Sequence, residues 1–413
     1  MTYPDLDIDL TEEERAIRDM VQRFGEEVVR PVGIRLDKLA DPADVIAPDS
    51  ELWDVHRAYR DLGLHKNRLP SSVGGMGGQS SLRTGICISE TLGYADSGLA
   101  ISLAVTGSPF AYAAMSDDKE LNEWARAYVE DSRAEMIGCW AITEPDHGSD
   151  WIMAGEKTSS NPRMAPGVKA TLDGDSYVLS GQKSAWVSNG TIATHASLHV
   201  SLDPAQGMHG TGICVLPLDL PGIRKGPPLD KLGQRALNQG EIFFDEVVIP
   251  KKYMIVPDIA QANNIIGQNI WVGANTGMSV TFAGVARSAL DEAIRYANER
   301  VQGGIRIIEH QNIKLKLMKM FQMVEAARSL SRRTMAYNAA NPPGSLMHAV
   351  SAKALSTETA FNVASEAVQI HGGNGLSKEY VIEKIMRDAR ASMIEDGTNE
   401  VLLLRGSTYL QPA

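Results

Sequence analysis

The chain has 413 residues, 43% apolar and 22% charged, enough to bury a sizeable interior and to divide into two or three domains. A formal net charge of −11 argues against a nucleic-acid partner, which needs a basic face to neutralise phosphates, and no apolar run is long enough to cross a bilayer. Cys87, Cys139 and Cys214 have no metal-type spacing and read as reduced core thiols, while the acidic N-terminus has neither a secretory nor a transit pattern, so the cytoplasm is the expected compartment.

Thr11 and Glu14 have the spacing of a capping box, and Ile17, Met20, Val21, Phe24 and Val28 follow at helical intervals, which puts one face of this first helix in a core. A second helical pattern runs from Leu52 to Leu64. It ends in a loop marked by Pro70, Gly74, Gly75, Gly77 and Gly78, read as a turn between helices, and helical text resumes at Ser80.

From about Met136 the period shortens. Asp173-Gly174 stands between two alternating segments, a hairpin signal because that pair supplies the positive φ angles of a type I′ turn. Ala196, Leu198, Val200 and Leu202 alternate with Ser197, His199 and Ser201, and "TGICVLPL" and "GEIFFDEVVIP" are rich in β-formers and bounded by Gly or Pro, so the region reads as an antiparallel β domain.

After Pro250 three long helical patterns follow. Ala286, Ala289, Ala293 and Ala297 form a row of small side chains suited to close helix packing; Met318, Met320 and Met323 read as core filling; and "NPPG" at Asn341 to Gly344 separates two antiparallel helices. Pattern alone gives three domains: an N-terminal α-helical domain over 1–135, a middle β domain over 136–250, and a C-terminal α-helical region over 251–413.

Near the C-terminus Glu395 and Asp396 stand side by side before Gly397-Thr398 and the start of a helix. As an ordinary acidic turn they would complement the helix dipole. If desolvated, their mutual repulsion raises one pKa into a useful range for a proton acceptor.

The segments "AITEPDHGSD" and "AVQIHGGNGLSKEYVIEKIMRDAR", with the carboxylate turn, resemble the flavin-dependent acyl-CoA dehydrogenases, and the resemblance covers nearly the whole chain. It implies an α+β fold with a four-helix C-terminal bundle, FAD as cofactor, an acyl-CoA substrate, an electron-transfer flavoprotein as acceptor, and a homotetramer built as a dimer of dimers. In "GCWAITEPDHGSD" it places Trp140, Ile142 and Thr143 on the flavin, with the Ile142 backbone and the Thr143 hydroxyl at its pyrimidine edge, and Ser149 where flavin and CoA meet. Backbone N–H groups and a short hydroxyl suit the charge a reduced flavin develops there.

In "GQKSAWVSNG" the resemblance puts Trp186 against the isoalloxazine and Ser188 at its N5; alone, Trp186 would read as a sheet-core aromatic. One residue more than usual separates Lys183 from Trp186, which a local bulge would absorb. Arg300 and Gln311 keep the spacing of a motif that reaches a neighbouring subunit's FAD pyrophosphate and adenosine, with Gly303 where Phe is usual. Gln369, Gly372 and Gly373 match the other side of that interface, or simply cap a helix; Thr398 and Glu400 fall where relatives contact FAD.

The resemblance further implies that the residue before Gly397 removes the α-proton. Relatives usually carry Glu there, and this chain has Asp396, about one methylene shorter, with Glu395 as second candidate. Asn275 and Ala274 occupy the positions of a frequent Arg and of an alternative base, and neither supplies an acid. The implied reaction is α,β-dehydrogenation of an acyl-CoA thioester by α-proton abstraction and β-hydride transfer to flavin N5, with a short, branched, cyclic or functionalised acyl group as open as a linear chain. Alternatives are an alicyclic acyl-CoA dehydrogenase with an atypical base, or an oxidase or monooxygenase of the same fold that uses O₂.

Overall fold

Thr11 caps the first helix as its spacing requires: its hydroxyl accepts from Glu14 N at 3.2 Å and its own N–H donates to Glu14 Oε2 at 2.8 Å. The structure, a computed structural model, describes residues 10–77, 81–153, 157–257 and 270–410. Gly78 and Ser80 of the expected loop lie outside those residues.

Helices Glu12–Phe24, Leu52–Asp61, Leu82–Ala95, Ser97–Val105 and Lys119–Glu130 make up most of the N-terminal part. Ile17, Met20, Val21, Phe24 and Val28 all join one apolar cluster with Leu52, Val55, Leu92 and Leu99.

Strands β1 (Gly138–Ala141), β2 (Lys169–Asp173), β3 (Ser176–Lys183), β4 (His195–Ser201), β5 (Thr211–Pro217), β6 (Ile223–Lys225) and β7 (Ile242–Pro250) form one seven-stranded sheet. Its order is β1-β4-β2-β3-β7-β6, with β5 also paired to β4. The sheet is mixed rather than wholly antiparallel, since β1 and β2 both run parallel to β4. Alternation along β4 does not mark a wet face either: Ser197, His199 and Ser201 are as buried as Ala196, Leu198 and Val200. Some of these polar groups find partners inside the protein, since Trp140 Nε1 donates to His199 Nε2 at 2.9 Å and Ser197 Oγ donates to the Cys139 carbonyl at 3.3 Å, while His199 Nδ1 and Ser201 Oγ have none among the described residues.

The β2–β3 hairpin exists, but Asp173 pairs with Ser176, so the corner residues are Gly174 and Asp175. Gly174 has φ +58° and Asp175 does not share the positive φ, the pattern of a type II′ turn instead of the expected type I′.

Four helices, Trp271–Glu299, Gln311–Ala340, Leu346–His371 and Ile382–Ser392, form the C-terminal bundle, and Asn399–Ser407 follows. The alanine row is fully buried and meets Ala360, Ala364 and Ala367 of the third helix, small residues facing small residues. Of the three methionines, Met320 is core and Met323 packs on it, whereas Met318 is 52% exposed.

Candidate functional site

The carboxylate turn sits between the 382–392 and 399–407 helices, and its backbone is left-handed: Asp396 has φ +52° and Gly397 φ +99°. Asp is one of the few non-glycine residues that adopts this conformation readily. A Cβ on Gly397 would lie 2.8 Å from the Ile152 side chain, so the turn is pressed against the segment that follows Ser149. The Thr398 N–H donates to Ser149 Oγ at 3.0 Å. Two motifs that are 249 residues apart thereby share one hydrogen bond.

Beneath the turn lies Lys353, whose side chain is fully buried. Its Nζ donates to the Gly397 carbonyl at 2.9 Å and to Asn399 Oδ1 at 3.0 Å. Burial lowers its pKa to about 8, opposed by Asp396, Glu395, Glu400 and Glu358.

The two acids differ in their partners. Glu395 Oε1 accepts from Gln234 Nε2 at 2.7 Å. Among the described residues no group donates a hydrogen bond to the Asp396 carboxylate; burial raises its proton affinity and Lys353 opposes that rise. Glu395 is pushed up to about 7, first by burial. Both are half-buried by surface, yet packed closely enough on their other sides for desolvation to dominate.

The "TEP" and "GQK" segments are tied by a buried ion pair. Lys183 Nζ donates to Glu144 Oε1 at 2.7 Å and to the Ile142 carbonyl at 3.1 Å; Glu144 in turn accepts from the N–H groups of Gly167 and Val168. Ser184 N–H donates to the Thr143 carbonyl at 3.0 Å, which sets Thr143 beside the end of β3. Trp140 is half-buried, with its ring against Trp271 at a centroid distance of 5.9 Å.

After Lys183 the chain leaves the strand. The extra residue before Trp186 is therefore absorbed in a turn, and the sheet irregularity lies upstream, between Leu179 and Gly181. Trp186 is 56% exposed, an outward ring on a fixed backbone and not a sheet-core aromatic. Gln239 Nε2 donates both to the Trp186 carbonyl and to Ser188 Oγ, each at 3.2 Å.

Arg300, Gln311, Gln369, Gly372 and Gly373 form a second, exposed group. Arg300 ends the 271–299 helix and opens a two-strand hairpin, β8 (Val301–Gln302) and β9 (Ile305–Arg306), turned by Gly303 and Gly304 at φ +67° and +85°. That turn is type I′, which accounts for Gly where Phe is expected. Tyr296 OH donates to the His371 carbonyl at 3.2 Å, which holds the end carrying Arg300 beside the end carrying Gln369 and Gly372. Gly372 does cap its helix, and a Cβ on Gly372 or Gly373 would meet nothing within 4 Å, so the surface is open there.

Asn275 is buried and donates to the Trp271 carbonyl; Ala274 beside it is half-buried. Sequence reasoning overlooked Lys353, Gln234, Gln239 and Lys231. A signal existed for Lys353, which stands on the buried stripe Ala349, Val350, Ala354 and Thr357 where an exposed lysine has no place.

The arrangement offers an uncommitted carboxylate with raised proton affinity, an outward aromatic ring, a hydroxyl held from behind, and an open glycine surface. These fit a flavin dinucleotide: ring stacking at Trp186, polar contacts at Thr143, Ser149 and Ser188, and close backbone approach at Gly372 and Gly373.

Comparison with known proteins agrees. Family models described as the acyl-CoA dehydrogenase N-terminal, middle and C-terminal domains match residues 11–136, 139–247 and 275–408. A probable acyl-CoA dehydrogenase, YngJ of Bacillus subtilis, is 28% identical and covers 96% of this chain and 97% of its own. Cyclohex-1-ene-1-carbonyl-CoA dehydrogenase of Geobacter metallireducens is also 28% identical, over 98% of this chain and 99% of its own. Among solved structures, butyryl-CoA dehydrogenase from Megasphaera elsdenii superposes with a TM-score of 0.82 at 26% identity, over 98% of this chain and 100% of its own.

Proposed function

The chain belongs to the acyl-CoA dehydrogenase family and is an oxidoreductase acting on CH–CH groups; from that premise we propose that it dehydrogenates an acyl-CoA between its α and β carbons, with Asp396 as the base and FAD as the hydride acceptor. The observation that carries this assignment is the difference between the two acids. The Glu395 carboxylate is engaged by Gln234, while that of Asp396 accepts no hydrogen bond among the described residues. The Gln234 amide holds the Glu395 carboxylate by its Oε1, whereas neither oxygen of Asp396 is tied to a protein donor among the described residues.

Asp396, with its raised proton affinity, would accept the α-proton, while buried Lys353, which favours the charged carboxylate, would keep the acid ionised before the proton arrives. The Lys353 bond to the Gly397 carbonyl keeps the turn, and so the carboxylate, in one place. FAD bound at Trp186 would supply hydride acceptance. Ser149, fixed by Thr398, would order the junction with CoA, with Ile142, Thr143 and Trp140 at the flavin edge and Glu400 at the rim. Arg300, Gln311, Gln369, Gly372 and Gly373 would serve the dinucleotide of a second protomer in a homotetramer, and an electron-transfer flavoprotein would reoxidise the cofactor.

The test is anaerobic bleaching of the bound flavin with linear, branched and cyclic acyl-CoAs. Asp396→Asn is expected to keep its flavin and to slow bleaching by about 10²- to 10⁴-fold, the usual contribution of a positioned base. Full bleaching in Asp396→Asn, with loss in Glu395→Gln, would reverse the roles.

The second reading is an alicyclic acyl-CoA. The shorter Asp396 requires a substrate that comes closer than usual, Glu395 adds a polar wall, and the Geobacter relative acts on a cyclohexene carbonyl-CoA. Bleaching by cyclic esters alone would select it.

A further inference from the structure

Ser188 is held by a chain of two side chains, Gln239 and, behind it, Lys231. Gln239, 7% exposed, donates through Nε2 to Ser188 Oγ and to the Trp186 carbonyl, each at 3.2 Å. Its other amide atom, Oε1, accepts from Lys231 Nζ at 2.5 Å.

The chemistry of the partners fixes the orientation of this amide. An ammonium only donates, so Lys231 must face oxygen; a backbone carbonyl only accepts, so Trp186 must face nitrogen. Both ends agree, and a flipped Gln239 would clash electrostatically at each. It follows that Ser188 Oγ receives a hydrogen bond from Gln239. The Ser188 proton, the one hydrogen of that hydroxyl, is then free to point away from Gln239.

We infer that Lys231 and Gln239 are positioning residues that set Ser188 as a hydrogen-bond donor toward the flavin. The inference rests on the reading of Trp186 and Ser188 as the flavin platform, and it adds what decides the polarity of that hydroxyl. A free serine rotor could donate to Gln239 or to the flavin with little preference. With Lys231 holding the amide oxygen, only one sense of the chain remains. Charged groups around Lys231 are Glu395 and Asp388, which favour its ammonium form, and Arg235, which opposes it and whose Nη1 donates to the Lys231 carbonyl at 3.2 Å. Lys231 thereby reaches the Ser188 hydroxyl through Gln239 and lies within the field of Glu395, the acid next to Asp396.

The experiment uses holoenzyme loaded with flavin labelled with ¹⁵N at N5, whose resonance reports a donor hydrogen bond directly. In wild type the N5 resonance should have the hydrogen-bonded value. Ser188→Ala, Lys231→Met and Gln239→Glu should each move it toward the unbonded value, because a glutamate at 239 accepts the Ser188 proton for itself. Lys231→Arg, which keeps donors at that place, should move it less. The double variant Ser188→Ala/Lys231→Met should move it no further than Ser188→Ala alone. Flavin reduction by acyl-CoA should slow about tenfold in Lys231→Met, the worth of one hydrogen bond.

An unmoved resonance in Gln239→Glu, or a Lys231→Met shift that persists undiminished in the Ser188→Ala background, would overturn the inference. The dehydrogenase reading fails separately, if wild-type flavin binds but no acyl-CoA bleaches it. A wild-type chain that takes up no flavin overturns both.

Discussion

Burial raises the Glu395 carboxyl toward about 7 against the hydrogen bond from Gln234, with Asp396 adding to the rise and Lys353 and Lys231 opposing it. A folded-state value above the ordinary 4.5 means that the folded chain holds this proton more tightly than the unfolded chain. The resulting stability is fully present below pH ~4.5 and is lost as pH rises through ~7. Glu395→Gln removes the titrating group and keeps the shape. The variant should therefore gain about 1–2 kcal/mol relative to wild type between pH 5 and pH 8, the modest end of the range because the group is half-buried. Urea denaturation of both proteins at the two pH values measures this; a difference between them that is the same at pH 5 and pH 8 rejects it. The two adjacent acids stood out in the sequence as the candidate bases. Which of them is uncommitted was not legible there, because Gln234 is 161 residues from Glu395 and only the fold brings it there.

Among the elements, the helix Leu346–His371 does the most to place the site, through Lys353. The helix periods and the alternating strands followed from apolar spacing, and the capping box from a Thr and a Glu three residues apart; both are local properties. The parallel pairings of β1 and β2 with β4, and the turn type at Gly174, depend on register between segments and were not legible in the same way. Lys353 belongs to both kinds: its place on a buried stripe is local, its acceptors are not. Lys353→Met leaves the Gly397 carbonyl without its side-chain donor, leaves Asn399 Oδ1 with only the longer bond from the Thr357 hydroxyl at 3.3 Å, and removes the cation that opposes the rise at Asp396. It should cost about 1–3 kcal/mol for the buried acceptors, tempered by relief of the buried charge. Without that cation Asp396 holds its proton more tightly, so the acid limb of the bleaching-rate profile should move to higher pH. A profile that stays in place in a variant that still binds flavin would show that Lys353 serves the fold and not the proton transfer. No such shift is expected from replacing a buried lysine far from the turn.

At the scale of the molecule, the helix Leu346–His371 links the carboxylate turn to the open glycine surface. Gln369 is sixteen residues beyond Lys353, about 24 Å along the axis at 1.5 Å per residue, so one end serves the carboxylate turn and the other the open glycine surface. A second protomer that brings its Arg300 and Gly372 end to the Trp186 side of the first would complete one dinucleotide site from two chains. Exposed apolar side chains are available for such an assembly: Leu315 at 57% and Met318 at 52% on one helix, Leu376 at 77% and Leu404 at 63% on others. On this arrangement flavin affinity depends on association. Diluting the holoenzyme should release flavin in step with loss of the oligomer, followed together by flavin fluorescence and sedimentation. Arg300→Ala should weaken flavin retention about ten- to hundredfold, the worth of a charge-assisted hydrogen bond, without changing the pH profile of bleaching in the flavin-saturated enzyme. A monomer that holds flavin as firmly as the concentrated protein, with Arg300→Ala unchanged, would place the whole dinucleotide on one chain.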